Sequence, residues 1–240
     1  MKDFAALFTK LDQTGSTLAK TKALADYFQT ASADDKLWTI ALLSGRRPKR
    51  TITATQLRIW AAECANLPLW LFEESYAVVG DLAETINLVL PDNAGEDDRS
   101  LTAWVAELRR LATLNEDQKK AGILAAWDKL GGAERFVFTK LCTGGFRVGV
   151  SQKLMTRALA DATGQDEAAL THKLMGQWHP DSHSWETLIE ASDPTADLSK
   201  PYPFQLAHQL EAEAAHLGEA AGGHGLLSPH HPTRASALKR

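Results

Sequence analysis

Apolar residues recur at helical spacing along most of this chain, and no stretch before residue 180 alternates as a strand would. Phe4, Leu7, Phe8 and Leu11 mark one face of a first helix, and Leu24 and Phe28 one side of a second over 18–30. Ser32-Ala-Asp-Asp35 reads as a capping box that opens a third, carrying Leu37, Ile40, Ala41 and Leu43 and stopping at Gly45. Thr53-Ala-Thr-Gln56 reads as another box, ahead of Leu57, Trp60 and Ala61. Pro68 starts a helix whose expected apolar face is Leu71, Phe72, Val78 and Val79, with Gly80 near its end. Residues 82–90 continue to Pro91.

The polar, acidic stretch 92–99 is the best candidate for a mobile loop. Leu101, Val105, Leu108 and Leu111 then define an amphipathic helix, as do Ile123, Leu124, Trp127 and Leu130. A helix over 133–143 runs into Gly144-Gly145. A short loop follows, Ser151 stands at an N-cap position, and Leu154, Ala158 and Leu159 resume the helical period. Residues 166–178 give one more helix. The expected fold is an all-α multi-helix bundle. After Pro180, Pro194, Pro201 and Pro203 indicate an extended linker. From about Gly218 the chain is rich in Gly, His, Pro and Ala, so a disordered C-terminal tail is expected.

Composition narrows the function. With 240 residues, 44% of them hydrophobic, the chain can bury a core as one large or two small domains. The net charge of −4 rules out a uniformly basic nucleic-acid binder, so any such role rests on local charge. Cys64 and Cys142 fall in apolar helical segments and read as reduced core residues, and the seven tryptophans read as core packing. With no apolar signal region and no membrane-length apolar run, the expectation is a cytoplasmic protein.

Two basic stretches stand out. Lys36, Arg46, Arg47, Lys49, Arg50 and Arg58 lie in a segment without acids, four of them in the loop 45–50. Lys140, Arg147, Lys153 and Arg157 are the only charges in 140–159. Glycine lets backbone approach an anion, and a helix start offers N–H groups to it. Arginine forks suit phosphate oxygens without reading sequence. One such loop reads as solvated turn; two, each at a glycine-ended helix, point to nucleic-acid phosphate.

Catalytic patterns are thin. There is no P-loop, no Gly-x-Ser-x-Gly, no Cys-x-x-Cys and no His-Glu-x-x-His. His172, His179 and His183 near Asp181 fit no standard zinc spacing and read as exposed loop residues. Asp92, Glu96, Asp97 and Asp98 lack the order of a calcium loop. No metal site is assigned.

Several segments, in order, resemble the N-terminal DNA-binding domain of ATP-dependent DNA ligases in the form found in bacterial enzymes. They are Phe4-Ala-Ala-Leu-Phe-Thr-Lys-Leu-Asp12 with Lys20-Thr-Lys-Ala-Leu24, Leu42-Leu-Ser-Gly-Arg46, Val79-Gly-Asp-Leu-Ala-Glu84, and Gly144-Gly-Phe-Arg-Val-Gly149 leading to Ala158-Leu159. Pro201-Tyr-Pro-Phe-Gln-Leu-Ala207 is similar to the start of the family's nucleotidyltransferase domain. The resemblance covers roughly residues 1–217.

It implies a helical domain that grips nicked or intact double-stranded DNA through its backbone, without sequence preference, for nick sealing in repair, replication and recombination. It implies ATP and Mg²⁺ as cofactors of a full-length ligase only, and a nucleoid-associated monomer. The expected DNA contacts are Arg46, Arg47, Lys49, Arg50, Lys140, Thr143, Gly144, Gly145, Arg147, Gly149, Ser151, Lys153 and Arg157. The family's adenylation motif, Lys-x-Asp-Gly-x-Arg, does not occur in the sequence. The expectation is therefore a truncated ligase, through a frameshift near codon 218, inactive in adenylation by itself. Its organisation would be a DNA-binding domain over 1–197, a linker and start of the missing domain over 198–217, and an aberrant tail over 218–240. The alternative is a stand-alone helical nucleic-acid-binding or protein-interaction module.

Overall fold

The computed structural model describes residues 1–46, 48, 52–93, 95, 97–146 and 148–190. The expectations for Arg47, Lys49, Arg50, Arg147 and the linker and tail from residue 198 on lie outside them. The described residues belong to the compact unit Met1–Lys200. Among them the regular structure is helical, with no strand. The helices are α1 (Lys2–Gln13), α2 (Thr17–Thr30), α3 (Ala33–Leu43), α4 (Ala54–Cys64), α5 (Leu69–Val79) and α6 (Leu82–Val89), then α7 (Leu101–Ala112), α8 (Glu116–Lys129), α9 (Gly132–Thr143), α10 (Gln152–Thr163) and α11 (Glu167–Met175).

Burial of the apolar stripes drives the packing. The predicted faces of α1 and α7 are buried as expected. α10 lies against α2 and α11, α1 against α2 and α9, and α6 against α9. α4, α5 and α6 pack on one another, and α7 joins α3, α8 and α9. Phe4, Phe8, Phe28, Phe72, Trp104, Trp127 and Phe138 are fully buried.

Helix starts agree with the sequence, with one informative departure. Thr53 and Gln56 form the reciprocal capping box. Ser32 accepts from Asp35 N, but the Asp35 carboxylate does not close the second half of a box. It accepts instead from Leu101 N at 3.2 Å, Thr102 N at 2.8 Å and the Thr102 hydroxyl at 2.6 Å. Asp35 thus caps α7 across 66 residues and fastens it to the start of α3.

Five other expectations are corrected. α5 forms where predicted, but only Phe72 of its expected face is buried; Leu71 and Val78 are exposed. Trp70 is likewise exposed, and Cys64 is exposed at the end of α4, whereas Cys142 is buried. Burial pushes the Cys142 thiol pKa well up, as expected of a core cysteine. The described part of 92–99 is pinned rather than loose. Asn93 donates to the Trp127 and Asp128 carbonyls at 3.2 and 2.7 Å, and Arg99 stacks 3.7 Å from the Trp104 ring centre. The segment after Pro180 does not run straight into linker. A π-helical turn, Glu186–Glu190, buries Leu188 and Ile189, and the preceding Trp185 stacks on Phe28 at 6.2 Å. Its short apolar cluster is too brief to show a period.

Candidate nucleic-acid interface

The loop 144–151 is shaped from below. α9 ends at Gly144, whose φ of 77° is left-handed and whose N–H donates to the Lys140 carbonyl at 2.7 Å. Gly145 N–H reaches the same carbonyl at 3.3 Å, and the Thr143 hydroxyl donates to it at 3.3 Å. Phe146 then turns inward, its ring 6.2 Å from Phe4 and 5.6 Å from Phe8. This aromatic anchor holds the loop to α1. Val148 is also buried, and its carbonyl accepts a hydrogen bond from Lys20 Nζ.

Lys20 is the residue that sequence reasoning missed as a site component. It is 9% exposed, and its ammonium donates to that carbonyl rather than to a carboxylate. Gly149, with φ of 64°, sits directly above it; a Cβ there would stand 2.9 Å from Lys20 Nζ. A lysine at a buried helical position has no signature of its own in the sequence, so nothing local separates it from a solvated one.

After the loop, Ser151 caps α10 by accepting from Leu154 N at 3.2 Å. The first turn of α10 carries no acid, so its positive end is not neutralised from within. The first turn of α2, which holds Lys20, carries none either. The Lys20–Val148 bond brings that turn beside the loop that leads into α10. Lys153 and Arg157, one helical turn apart on α10, are both exposed, and no ion pair holds either among the described residues.

The ends of the two predicted loops meet. A cleft of about 360 Å³ is lined by Leu43, Ser44 and Arg46 from the end of α3 and by Val150 and Gln152 from the start of α10, with Leu174 and Met175 of α11 closing it. Sequence alone offers no measure of this proximity, because α3 and α10 lie more than a hundred residues apart.

The predicted contacts do not all face outward. Arg46 donates to the carbonyls of Leu174, Gly176 and Trp178 at 3.1 Å each and stacks 4.7 Å from the Trp178 ring centre. Its fork therefore ties the end of α3 to the turn after α11. Lys140, with 12% of its side chain exposed, is bonded to Asp81 and lies 5.1 Å from the Phe136 ring centre. In Asp81, burial favours the neutral acid, but the Lys140 hydrogen bond and the Glu84 N–H outweigh it and hold the carboxyl below its ordinary range. Arg46 and Lys140 are thus placed to shape the loops, whereas Gly149, Ser151, Lys153 and Arg157 are exposed and Thr143, Gly144 and Gly145 half-buried. In the acid-free segment 36–58, Lys36 likewise lies 4.9 Å from the Trp185 ring centre, and Arg58 pairs with Glu73 at 2.9 Å.

These features define an all-helical domain in which the end of α3 and the start of α10 line one cleft, with two cations on α10 that no acid pairs among the described residues. Residues 1–160 of the 240 match the family described as DNA ligase N terminus, and the chain belongs to that family. The match takes in both loops and ends within α10, after Arg157. No curated protein matches the chain. Membership ties the chain to DNA ligase-related interaction with DNA. No helix among the described residues is long and apolar enough to cross a membrane.

Proposed function

We propose that this domain is the duplex-gripping part of an ATP-dependent DNA ligase of bacterial type, holding nicked or intact double-stranded DNA by its phosphates without reading sequence. The observation that supports this most is the position of Lys153 and Arg157. They project, without acid partners among the described residues, from a helix whose electropositive start lies across a cleft from Arg46. Two cations a helical turn apart suit successive backbone phosphates, and N–H groups at a helix start add a directional contact.

The chemistry assigned to these residues is binding. Lys-x-Asp-Gly-x-Arg is absent from the sequence, so no residue here is given the adenylation step, and ATP and Mg²⁺ belong to the complete ligase. In that enzyme the domain would hold a nick while the strand is sealed, in repair, replication or recombination, in the cytoplasm.

Fluorescence anisotropy with nicked, intact and single-stranded DNA over a salt series tests the reading. The wild-type domain should prefer duplex and lose affinity steeply with salt. The double variant Lys153→Ala/Arg157→Ala should reduce the log–log salt slope by about 0.9 for each phosphate it no longer neutralises. Its thermal stability should be unchanged, since neither side chain has an internal partner among the described residues. Arg46→Ala is the contrasting control: it should lower stability first, through three orphaned carbonyls. An unchanged salt slope in the double variant would sink the proposal.

A further inference from the structure

The face of α5 points to a second macromolecular contact, on a different set of helices from the DNA grip. Trp70 is 66% exposed and Val78 86%, with Leu69 and Leu71 also exposed beside them. Trp70, Glu74, Ala77 and Val78 follow the i, i+4, i+7, i+8 spacing of one helical stripe, and none of the four is buried. Ile59 on α4 and Leu88 on α6, the two helices against which α5 packs, are exposed as well. The opposite side of α5 is satisfied by burying Phe72. A tryptophan left this open on a regular helix is the kind of side chain that dominates protein interfaces.

Charge selects the occupant. From Ile59 to Asp98 there are forty residues with nine acids and no lysine or arginine. Five of them are paired, Glu63 with Lys120, Glu73 with Arg58, Asp81 with Lys140, Asp97 with Arg99 and Asp98 with Lys2, but Glu74 lies within the apolar stripe and Glu84 on α6 is exposed, neither with an ion-pair partner among the described residues. Carboxylates at these positions repel phosphate, so neither DNA nor an anionic lipid surface fits. A second copy docking face to face would set Glu74 near its own equivalent. A helix with apolar residues on one side and Lys or Arg flanking them matches both features.

We propose that α5, through Trp70, Leu71 and Val78 with Glu74, is a docking face for a basic amphipathic helix of another protein. The helix-in-groove mode reads anchors at this spacing, and α5 offers about 16 Å of length for it.

Backbone-amide NMR of the whole chain, titrated with a Leu/Lys amphipathic peptide of about 15 residues, tests this. A peptide of the same composition in scrambled order is the control. Shifts confined to α5 and its neighbours α4 and α6, absent with the scrambled peptide, are expected. Trp70→Ala should weaken binding about ten-fold or more. Val78→Asp, at a position 86% exposed, should weaken it with circular dichroism unchanged. Glu74→Lys should weaken it by charge reversal. Equal binding of the scrambled peptide, or affinity indifferent to Trp70→Ala and Val78→Asp, would overturn the proposal. So would a concentration-dependent dimer in sedimentation that Trp70→Ala abolishes, because the occupant would then be a second copy. DNA affinity is read separately, so this proposal and the phosphate grip fail independently.

Discussion

A lysine is among the residues least often buried without a partner, and Lys20 is buried against a carbonyl instead of a carboxylate. Desolvating an ammonium is costly unless its donors are used. Here that cost is set against a fixed position for the Val148 peptide. Lys20→Met, which keeps the stem and removes the donor, should destabilise the domain by about 1–3 kcal/mol through the orphaned carbonyl. Urea denaturation reads that loss, and anisotropy should show weaker DNA binding together with it. A variant as stable as wild type with unchanged affinity would show that the tether is dispensable. The same residue marks a limit of sequence reading. Ser151, Gly144 and the loop glycines were legible because caps and left-handed turns have local signatures. The partners of Lys140 and Arg46 were not, since Asp81 is 59 residues away and the Trp178 carbonyl 132. Two residues expected to face phosphate serve instead the frame that holds the loops.

Among the helices, the period of apolar residues carried most of the information, and it failed where burial is one-sided. α5 is apolar on nearly every face, so no pattern distinguishes its exposed stripe from its buried one. The capping signals carried less than they first offered. Ser32-Ala-Asp-Asp35 has the form of a closed local box, yet its second half is used to start α7. Asp35→Ala should therefore remove side-chain contacts from the start of α7 and leave the Ser32 cap of α3 in place, with a loss of about 0.5–2 kcal/mol typical of a cap or somewhat more. Hydrogen exchange separates the readings. Faster exchange at the first turn of α7 is expected, and faster exchange at α3 alone would contradict the cross-cap.

Across the molecule, carboxylates join segments that the sequence keeps far apart. Asp81 bonds Lys140, linking the start of α6 to α9, and Asp181 bonds Arg109 at 2.6 Å, linking the turn after α11 to α7. Asp97 pairs with Arg99 at 2.8 Å within the pinned loop. Arg99 and Arg109 hold Asp97 and Asp181 below the ordinary carboxylate range, and Lys140 does so for Asp81 against the opposing effect of burial. A depressed folded-state pKa contributes stability that is complete above the unfolded value and is lost as pH falls through the folded one. Urea midpoints should be flat from about pH 7 to pH 5 and fall below about pH 4. Asp81→Asn should remove part of that fall. A midpoint at about pH 3 equal to that at pH 5 would contradict the assignment. The overall class was legible from period alone, since no stretch before residue 180 alternates. The meeting of α3 with α10 was not, because that proximity is created by packing.

The direction of one peptide plane follows from the buried lysine. The described backbone has no cis bond, so the carbonyl of Val148 and the N–H of Gly149 point in opposite directions within their shared plane. Lys20 draws the oxygen inward. The Gly149 N–H is thereby aimed outward from an exposed residue that has no hydrogen-bond partner of its own among the described residues. A cation beneath the surface thus turns a backbone donor toward solvent, at a glycine whose missing Cβ leaves room for that cation. In the proposed phosphate grip this N–H is the donor that a phosphate oxygen would meet, and the residue that orients it would not itself touch the DNA.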